Sequence, residues 1–445
     1  MAHKILEFGL VAAILIAVGG FGGTEPVSWG LAEVIVMLLG ILVLALPSRA
    51  PPIASARLMA LPLVLLAWVG VQWFASRYGR IGFDTHAIET SGLALATSIV
   101  AFFIVREVAR QREARIRLVL GLIALGLFEA FYGLAEYLAG WEYIWNVPRR
   151  FYLGSATGTY VNHNHFAGLL EMILPLALGL AFYFWQGAWH RSRRQTWSSL
   201  VEFISQPEIV KCILLLLAAA VLLVAIVFSF SRMGMISSLM SLGAMAAIVW
   251  IGRRRSRLPV ALILLLLAGG IATTVWLGVG PVVEHFEQLP QNEPLVSATR
   301  GRVAVWNDSL KLIRAHPWTG VGLGCFEYAF TAVQSTQLTY VVDHAHNDYL
   351  ELAADLGLPF ASILLAGILW LAAVPLRASL SARSSLARAL ALGSFGAVLA
   401  LLVHGIADFN FHIPANALVF AVILGIGYAV SLDQGAAEFT ERRSG

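Results

Sequence analysis

The stretch ILLLLAAAVLLVAIVF, residues 213–228, contains no polar side chain. A helix needs about 20 apolar residues to cross the ~30 Å hydrocarbon core of a bilayer, and this run with its neighbours supplies them. The run is continuous, whereas the strands of a membrane β-barrel alternate apolar and polar residues. Because unpaired backbone groups cannot face lipid, the stretch predicts a transmembrane helix.

The rest of the chain is also strongly hydrophobic. Of its 445 residues, 59% are hydrophobic and 13% are charged, whereas soluble domains carry about 25% charged residues. We therefore predict an all-α integral membrane protein with about twelve transmembrane helices. The first apolar stretch reads as a span, since it lacks the charged start and cleavage site of a signal peptide. The predicted spans are roughly 6–20, 28–47, 56–74, 91–105, 118–139, 164–186, 212–230, 233–251, 258–279, 356–375, 387–407 and 414–431.

The distribution of Lys and Arg predicts the orientation of these spans. If the N-terminus is cytoplasmic, the arginine clusters at 106–117, 191–194 and 253–257 all fall on inner loops. Basic residues are enriched on the cytoplasmic side of membrane proteins, so we predict that both termini are cytoplasmic. Topology explains the net charge of +4, and no nucleic-acid partner is needed.

The histidines have the opposite distribution. Only His3 and His190 fall on the inner side, and the other histidines fall on the outer side. Histidine is the side chain most often used for proton transfer near neutral pH. We therefore expect the chemistry of this protein at the outer, periplasmic face.

One outer loop, residues 281–355, is long enough to contain short helices of its own. Loops of this length without an evident domain fold are usually functional. Within it, residues 302–314 predict an amphipathic helix that ends near His316 and Pro317. Its apolar residues at helical spacing are Val303, Trp306, Leu310 and Ile313.

The segment VDHAHNDYLELAADLGL, residues 342–358, is the strongest candidate for chemistry. It predicts a helix that runs from the loop into the tenth span, with His346 at the membrane entrance. His346 would share a face with Leu350, Ala353 and Gly357. Acidic neighbours that would orient or tune the imidazole are Asp343, Asp348 and Glu351. The alternative is a helix cap flanked by solvated histidines.

The pair His344-Ala-His346 also raises the question of zinc. Asp343 or His163 would have to complete such a site. Two histidines two residues apart are a weak signal, and no HExxH or CxxC motif accompanies them. We therefore predict no metal and no cofactor.

Three arginines on the outer side are candidates for binding an anion. Arg232 lies between two long apolar runs, where a charge usually faces a cavity and a partner, although it could instead snorkel to the interface. Arg300 and Arg302 suit a phosphate or pyrophosphate, and the alternative is the exposed start of a helix. The glycines of residues 320–324 follow a helix, so they predict a turn or a backbone nest for an anion rather than a nucleotide fingerprint.

Two further polar clusters lie at outer helix ends. Residues 160–165 contain Asn162 and Asn164 before the sixth span, with Glu171 two turns in. Residues 404–414 contain His404, Asp408 and other polar residues between the last two spans. Either cluster could line a sugar-binding cavity or merely cap helices, and the sequence leaves both possibilities open.

In chain order these pieces resemble the O-antigen ligase and polymerase superfamily of bacterial membrane glycosyltransferases. The resemblance covers roughly residues 160–430. It indicates N-terminal spans over residues 1–159 and a catalytic region over 160–445 that includes the loop at 281–355. The matching motifs are N-x-N at Asn162 and Asn164, S-R at Ser231 and Arg232, R-x-x-x-W at Arg302 and Trp306, P-x-x-G-x-G from Pro317 to Gly322, and H-N-x-Y-L from His346 to Leu350.

The resemblance implies a metal-independent, inverting transfer of a glycan from an undecaprenyl-diphosphate carrier in the bacterial inner membrane. His346 is then the general base, and Arg232 and Arg302 hold the pyrophosphate, whose developing charge arginine can stabilise. The expected substrate-binding residues are Arg300, His344, Asn164, Asn162, Asp348 and Trp306.

The acceptor and even the class of function stay open at this point. A ligase would use lipid A core as the acceptor, a polymerase would use a second lipid-linked glycan, and a further variant would use a protein. The alternative from another class is a transporter of lipid-linked sugars. Transporters tend to show repeats and broken helices near the midplane, and the sequence shows neither.

Overall fold

The computed structural model describes residues 2–46, 52–79, 83–192, 202, 204–251, 299–335 and 341–444. Within these residues the chain is almost entirely helical. The helices are α1 Ala2–Gly19, α2 Pro26–Ala45, α3 Pro52–Arg77, α4 Thr85–Val108, α5 Arg112–Ala139, α6 His163–Ser192, α7 Pro207–Phe228, α8 Arg232–Ile251, α9 Thr299–Ala315, α10 Phe326–Phe330, α11 Asp348–Leu356, α12 Leu358–Ser381, α13 Ser385–His404 and α14 Pro414–Ser444. Strands β1 (Tyr143–Ile144) and β2 (Val147–Pro148) form one antiparallel hairpin.

The predicted all-α membrane architecture is confirmed. Eleven of the described helices, α1 to α8 and α12 to α14, are long and apolar enough to cross a membrane. Each corresponds to one of the predicted spans. The ninth predicted span, 258–279, lies outside the described residues.

Helices α6, α13 and α14 form the centre of the bundle. Most of their spanning residues are buried, and α6 packs along α13. Small residues permit this close packing: a Cβ atom on Gly179 would lie 2.5 Å from the Ala389 carbonyl oxygen, and one on Gly393 would lie 2.9 Å from that of Pro175. Glycine at a helix contact lets two backbones approach closely inside a membrane.

The outer helices instead expose apolar stripes. On α2 the exposed side chains recur at helical spacing, as Val27, Leu31, Val34, Leu38 and Ile41. In water such a stripe would be a liability. On a membrane protein it is the surface that contacts the acyl chains.

The loop helices α9, α10 and α11 form a second, smaller core with the ends of α3 and α4. The buried side chain of Gln72 connects α3 to the loop, because its amide donates to the carbonyl oxygens of Thr319 and Asp355, at 2.8 Å each. The predicted amphipathic helix is confirmed as α9, which ends at Ala315, just before His316 and Pro317.

One prediction about the segment 342–358 is wrong. The helix does not run from the loop into the tenth span, because Gly357 breaks it into α11 and α12. Gly357 has φ +77°, and a Cβ there would lie 2.6 Å from the Trp318 carbonyl oxygen. His346 also lies before α11 rather than on it, since Asn347 is the N-cap residue.

The glycines of residues 320–324 form a turn, as predicted. All three have positive φ, and the turn packs on the C-terminal end of α11. Its backbone N–H groups are taken by protein acceptors: Val321 donates to the Ala354 carbonyl, Gly322 to the Asp355 carbonyl, and Gly324 to the Asp355 carboxylate at 2.7 Å. This pairing leaves no nest for an anion at those groups.

Candidate active site

The side chain of Asp408, in the turn between α13 and α14, is the centre of the candidate site. It is 1% exposed. Its carboxylate lies 3.7 Å from Nε2 of His165, 3.8 Å from Nη2 of Arg302 and 4.0 Å from Nδ1 of His346. These residues come from α6, α9, the segment before α11 and the α13–α14 turn. The fold thus brings four distant parts of the sequence to one carboxylate.

The side chains around Asp408 lie close to its carboxylate, but several of their polar atoms make no hydrogen bond. His165 Nε2, His346 Nδ1 and one Asp408 oxygen are buried and have no hydrogen-bond partner within the described part of the chain. A buried unpaired polar atom costs about 1–3 kcal/mol, so such atoms mark places where a substrate or ordered water binds. In enzymes these contacts often shorten only when the substrate is bound.

The charges at this centre favour a carboxylate and a neutral base. Burial opposes ionisation of Asp408, but His165, Arg302 and His346 outweigh it and hold the pKa of Asp408 well below its usual range. Burial, with a smaller contribution from Arg302, lowers the pKa of His346 to about 4, although Asp408 opposes the shift. His346 is therefore neutral near pH 7 and able to accept a proton.

The backbone of His346 is strained. Its φ of +48° lies in the left-handed region, which costs a residue with a side chain about 1–2 kcal/mol. Strain of this kind persists only where surrounding contacts over-determine the conformation, and it concentrates at functional sites. The neighbouring residues supply these contacts.

Four contacts fix the segment on either side of His346. The Ala345 N–H donates to Glu351 Oε2 at 2.8 Å, and the Ala345 carbonyl accepts from Nε1 of Trp306 at 3.0 Å. The Asn347 amide donates to the Ile406 carbonyl, and its oxygen caps α11 by accepting from the first-turn N–H groups. Trp306, predicted to bind substrate, therefore contacts the segment that carries His346.

A chain of paired ionisable side chains, buried at Glu351 and Asp348 and half-buried at His344 and His412, lies behind this segment. His344 Nδ1 lies 2.6 Å from Glu351 Oε1, which also lies 3.4 Å from His412 Nε2. His412 Nδ1 in turn lies 2.8 Å from the carboxylate of Asp348. Asp348 is fully buried and also accepts from the Phe411 N–H. Its carboxylate supports the site and is not accessible to a substrate in this structure.

The pKa shifts of Glu351 and His412 follow from the ion pairs that these side chains make. Burial opposes charge on Glu351, yet His344 and His412 lower the pKa of Glu351 to about 2. Burial likewise opposes protonation of His412, but Glu351 and Asp348 raise the pKa of His412 to about 10. Glu351 and His412 are therefore both charged near pH 7, and this ion pair links α11 to the α13–α14 turn.

Among the described residues, His344, Glu351 and His412 form one group whose ligand atoms all lie within 4.8 Å of one another. It differs from the predicted zinc alternative, since neither Asp343 nor His163 takes part. His344 is hydrogen-bonded to Glu351, whereas His412 Nε2 is paired with Glu351 by charge alone, at 3.4 Å and without a hydrogen bond. Attraction between the carboxylate and the two imidazoles brings these side chains together.

Phe409 organises the three histidines of the site. Its buried ring stacks on His344 with centroids 4.0 Å apart. His165 and His346 meet it edge-on at 4.5 and 5.0 Å. An aromatic ring at the centre of the cluster restrains the imidazole planes through these stacked and edge-on contacts.

The predicted asparagines have different positions. Asn162 is buried, and its side-chain oxygen accepts from the Asn164 N–H at 2.9 Å, so it caps the start of α6. Asn164 is half-buried at the same helix end. The capping alternative therefore accounts for Asn162, and substrate binding by Asn164 stays a prediction.

The predicted arginines also differ. Arg302 is half-buried and donates to the Ala407 carbonyl at 2.7 Å, beside Asp408. Arg232 begins α8 and is exposed, with no ion pair to a described residue. It lies at the same end of the bundle, because His163 contacts the Ser229 carbonyl. The side chain of Arg300 lies outside the described residues.

The sequence predicts His346 and Arg302 as site residues but does not predict the carboxylate of Asp408 between them. From the sequence, Asp408 belongs only to a polar cluster whose role stays open. Glu171 on α6 and His404 on α13 belong to the two polar clusters named from the sequence, but only the structure shows that they lie 3.0 Å apart. Ionisable residues inside a membrane span are costly and usually functional, which marks Glu171 in particular.

We expect Trp306→Phe to lower kcat by about threefold to tenfold with little change in KM. The variant keeps the ring but removes the donor to the Ala345 carbonyl, a hydrogen bond that contributes about 0.5–1.5 kcal/mol. Steady-state kinetics checks this, with Trp318→Phe as a control because Trp318 is 73% exposed in the same loop. Equal effects of the two substitutions would contradict the role assigned to Trp306.

Comparison with known protein families identifies one region. Residues 217–365 match the family model described as O-antigen ligase. The match contains Arg232, Arg302 and His346 but ends before Asp408. Among curated proteins, none matches this chain.

Proposed function

Because residues 217–365 match the family model described as O-antigen ligase, we propose that the chain belongs to that superfamily and transfers a glycan from an undecaprenyl-diphosphate carrier to an acceptor hydroxyl. The reaction takes place at the periplasmic face of the bacterial inner membrane. The observation that carries the proposal is the convergence of His346, Arg302 and His165 on the buried carboxylate of Asp408.

His346 is the general base. Its Nδ1 faces Asp408, which favours the tautomer with the proton on Nδ1 and leaves Nε2 as the basic atom. Nε2 takes the proton of the acceptor hydroxyl as that oxygen bonds to the anomeric carbon. The bond from this carbon to the diphosphate oxygen breaks on the opposite side, and the carrier diphosphate leaves with the electron pair. The configuration at the anomeric carbon is inverted.

The arginines stabilise the leaving group. Arg302 lies beside His346 and Asp408, so its guanidinium can share its charge between the carboxylate and a diphosphate. Arg232, exposed at the same end of the bundle, is the second diphosphate-binding residue. A guanidinium stabilises a developing phosphate charge by forked hydrogen bonds, so this mechanism needs no metal at the reacting atoms. His344, Asn164 and Arg300 are proposed to contact the glycans.

The acceptor is lipid A core if the protein is a ligase. A polymerase would instead extend one carrier-linked glycan with another, and a third variant would modify a protein. The three possibilities share the base and the leaving group. They differ in the size of the product, which makes them separable in one assay.

We expect wild-type protein in proteoliposomes to transfer glycan from the native carrier-linked donor in the presence of a chelator. Arg302→Gln is expected to lower the rate by about 10²–10³, the usual effect of removing one group that stabilises a developing anion. Arg314→Gln, an exposed arginine on the same helix, is the matched control. Product size then distinguishes ligase from polymerase.

Two results would overturn the proposal. The first is a wild type that moves the donor between leaflets without transferring glycan, which would indicate a transporter. The second is activity that chelation abolishes and a divalent cation restores, which would indicate a metal-dependent mechanism.

A further inference from the structure

An apolar cavity of about 830 Å³ lies within the membrane-spanning part of the protein, between α3 and α4 on one side and α12 and α14 on the other. Along α4 its lining runs from Thr90 to Phe103. At about 1.5 Å per residue this is roughly 20 Å, or about two thirds of the hydrocarbon thickness. Its walls are almost entirely aliphatic and aromatic, so it suits an extended apolar chain.

One titratable side chain lines the end of the cavity nearest the candidate site. His412 lines it there, together with Leu352 and Leu356 of α11. His412 is the residue that pairs with Asp348 and Glu351. An apolar chain in the cavity would therefore end directly below the charged network behind His346.

Helix α11 contacts both the cavity and this network. Leu352 and Leu356 are four residues apart, so they share one face of the helix, and that face lines the cavity. Glu351 binds His344 and the Ala345 N–H, on the His346 side. Whatever fills the cavity therefore contacts the same short helix that fixes the segment carrying His346.

The proposed donor has one apolar part, its isoprenoid tail. The cavity reaches the charged network behind His346 at His412, and helices long and apolar enough to cross a membrane form most of its walls. Remote binding energy of this kind is used to position reacting groups, and truncated substrates then lose turnover as well as affinity.

We propose that the isoprenoid tail of the lipid carrier occupies this cavity, and that its contacts with α11 and His412 position His346 for the reaction. This inference rests on the proposed function. It goes further by assigning the tail a part in turnover: a cavity that only holds the donor would affect KM, whereas a cavity that positions the base affects kcat.

The test compares two donors that carry the same glycan diphosphate on an undecaprenyl tail or on a farnesyl-length tail. Both are assayed at saturating concentration with wild-type protein in proteoliposomes. We expect kcat to be about tenfold to a hundredfold lower with the short tail, the effect of a small displacement of a reacting group.

A substitution in the cavity wall gives an independent measurement. Ser98 lines the cavity on α4, so Ser98→Phe fills part of the space. We expect this variant to turn over the long-tailed donor as slowly as wild type turns over the short-tailed one, with no further effect of tail length. Leu93→Phe is the matched control, because Leu93 is 45% exposed on the same helix.

Each outcome decides the inference. If shortening the tail raises KM and leaves kcat unchanged, the positioning role is wrong while the proposed function stands. If wild type transfers glycan from neither donor, the proposed function fails and the inference fails with it. If Ser98→Phe does not fold, the comparison of the two donors in wild type still decides the question.

Discussion

Replacing His346 by glutamine is expected to lower the rate of glycan transfer by about 10²–10⁴, the usual contribution of a positioned general base. Glutamine keeps a polar side chain of similar length, so the left-handed segment and its contacts with Trp306 and Glu351 can persist. It cannot accept the proton of the acceptor hydroxyl. The loss should therefore appear in kcat, with little change in the affinity for the donor.

Transfer in proteoliposomes measures this effect, and thermal unfolding in detergent shows whether the variant is folded. His86→Gln is the matched control, since the His86 side chain is 81% exposed at the same end of the bundle. A His346→Gln protein that is folded and retains a tenth or more of the wild-type rate would overturn the assignment of the base.

The second large effect is expected from Asp408→Asn, which should lower the rate by about 10²–10⁴ by analogy with the loss of an orienting aspartate from a catalytic triad. Asparagine fills the same space but carries no charge. Arg302 and His165 then lose the carboxylate they face, and His346 loses the group that favours a proton on Nδ1. The base is left in the wrong tautomer or the wrong orientation.

Asp408→Ala should cause a stability defect as well, because removing one member of a buried charge cluster costs about 3–5 kcal/mol. Thermal unfolding should therefore separate the two variants, with Asp408→Asn closer to wild type. Asp343→Asn is the control, since Asp343 is exposed and only three residues from His346. Comparable losses of activity in Asp343→Asn and Asp408→Asn would show that general electrostatics, rather than orientation, is responsible.

The helices were predictable because the bilayer imposes a simple rule. A run such as residues 213–228 must be helical in hydrocarbon, whatever surrounds it, since no other conformation pairs its backbone. For this reason each of the eleven described spanning helices has a predicted counterpart. The loop helix α9 was predictable for a related reason, as its apolar residues recur at helical spacing and Pro317 follows its end.

The interruption at Gly357 was not predictable in the same way. Apolar periodicity continues through it, and glycine is common inside membrane helices. What breaks the helix is a long-range contact: the Trp318 carbonyl occupies the space that a Cβ would need. Local pattern carries no information about that contact. The position of His346 has a separate cause, since Asn347 is the N-cap residue and the helix begins one residue after it.

The sequence by itself determined that this protein crosses a membrane repeatedly and predicted His346 and Arg302 as its reactive residues, because apolar length and unusual polar residues are local properties. Only the tertiary structure decided that Asp408 lies between them, that Glu351 and His412 support the segment carrying His346, and that an apolar cavity reaches this support. These relations depend on how α6, α11, α13 and α14 pack. Packing joins residues hundreds of positions apart, and no local pattern encodes which of them will meet.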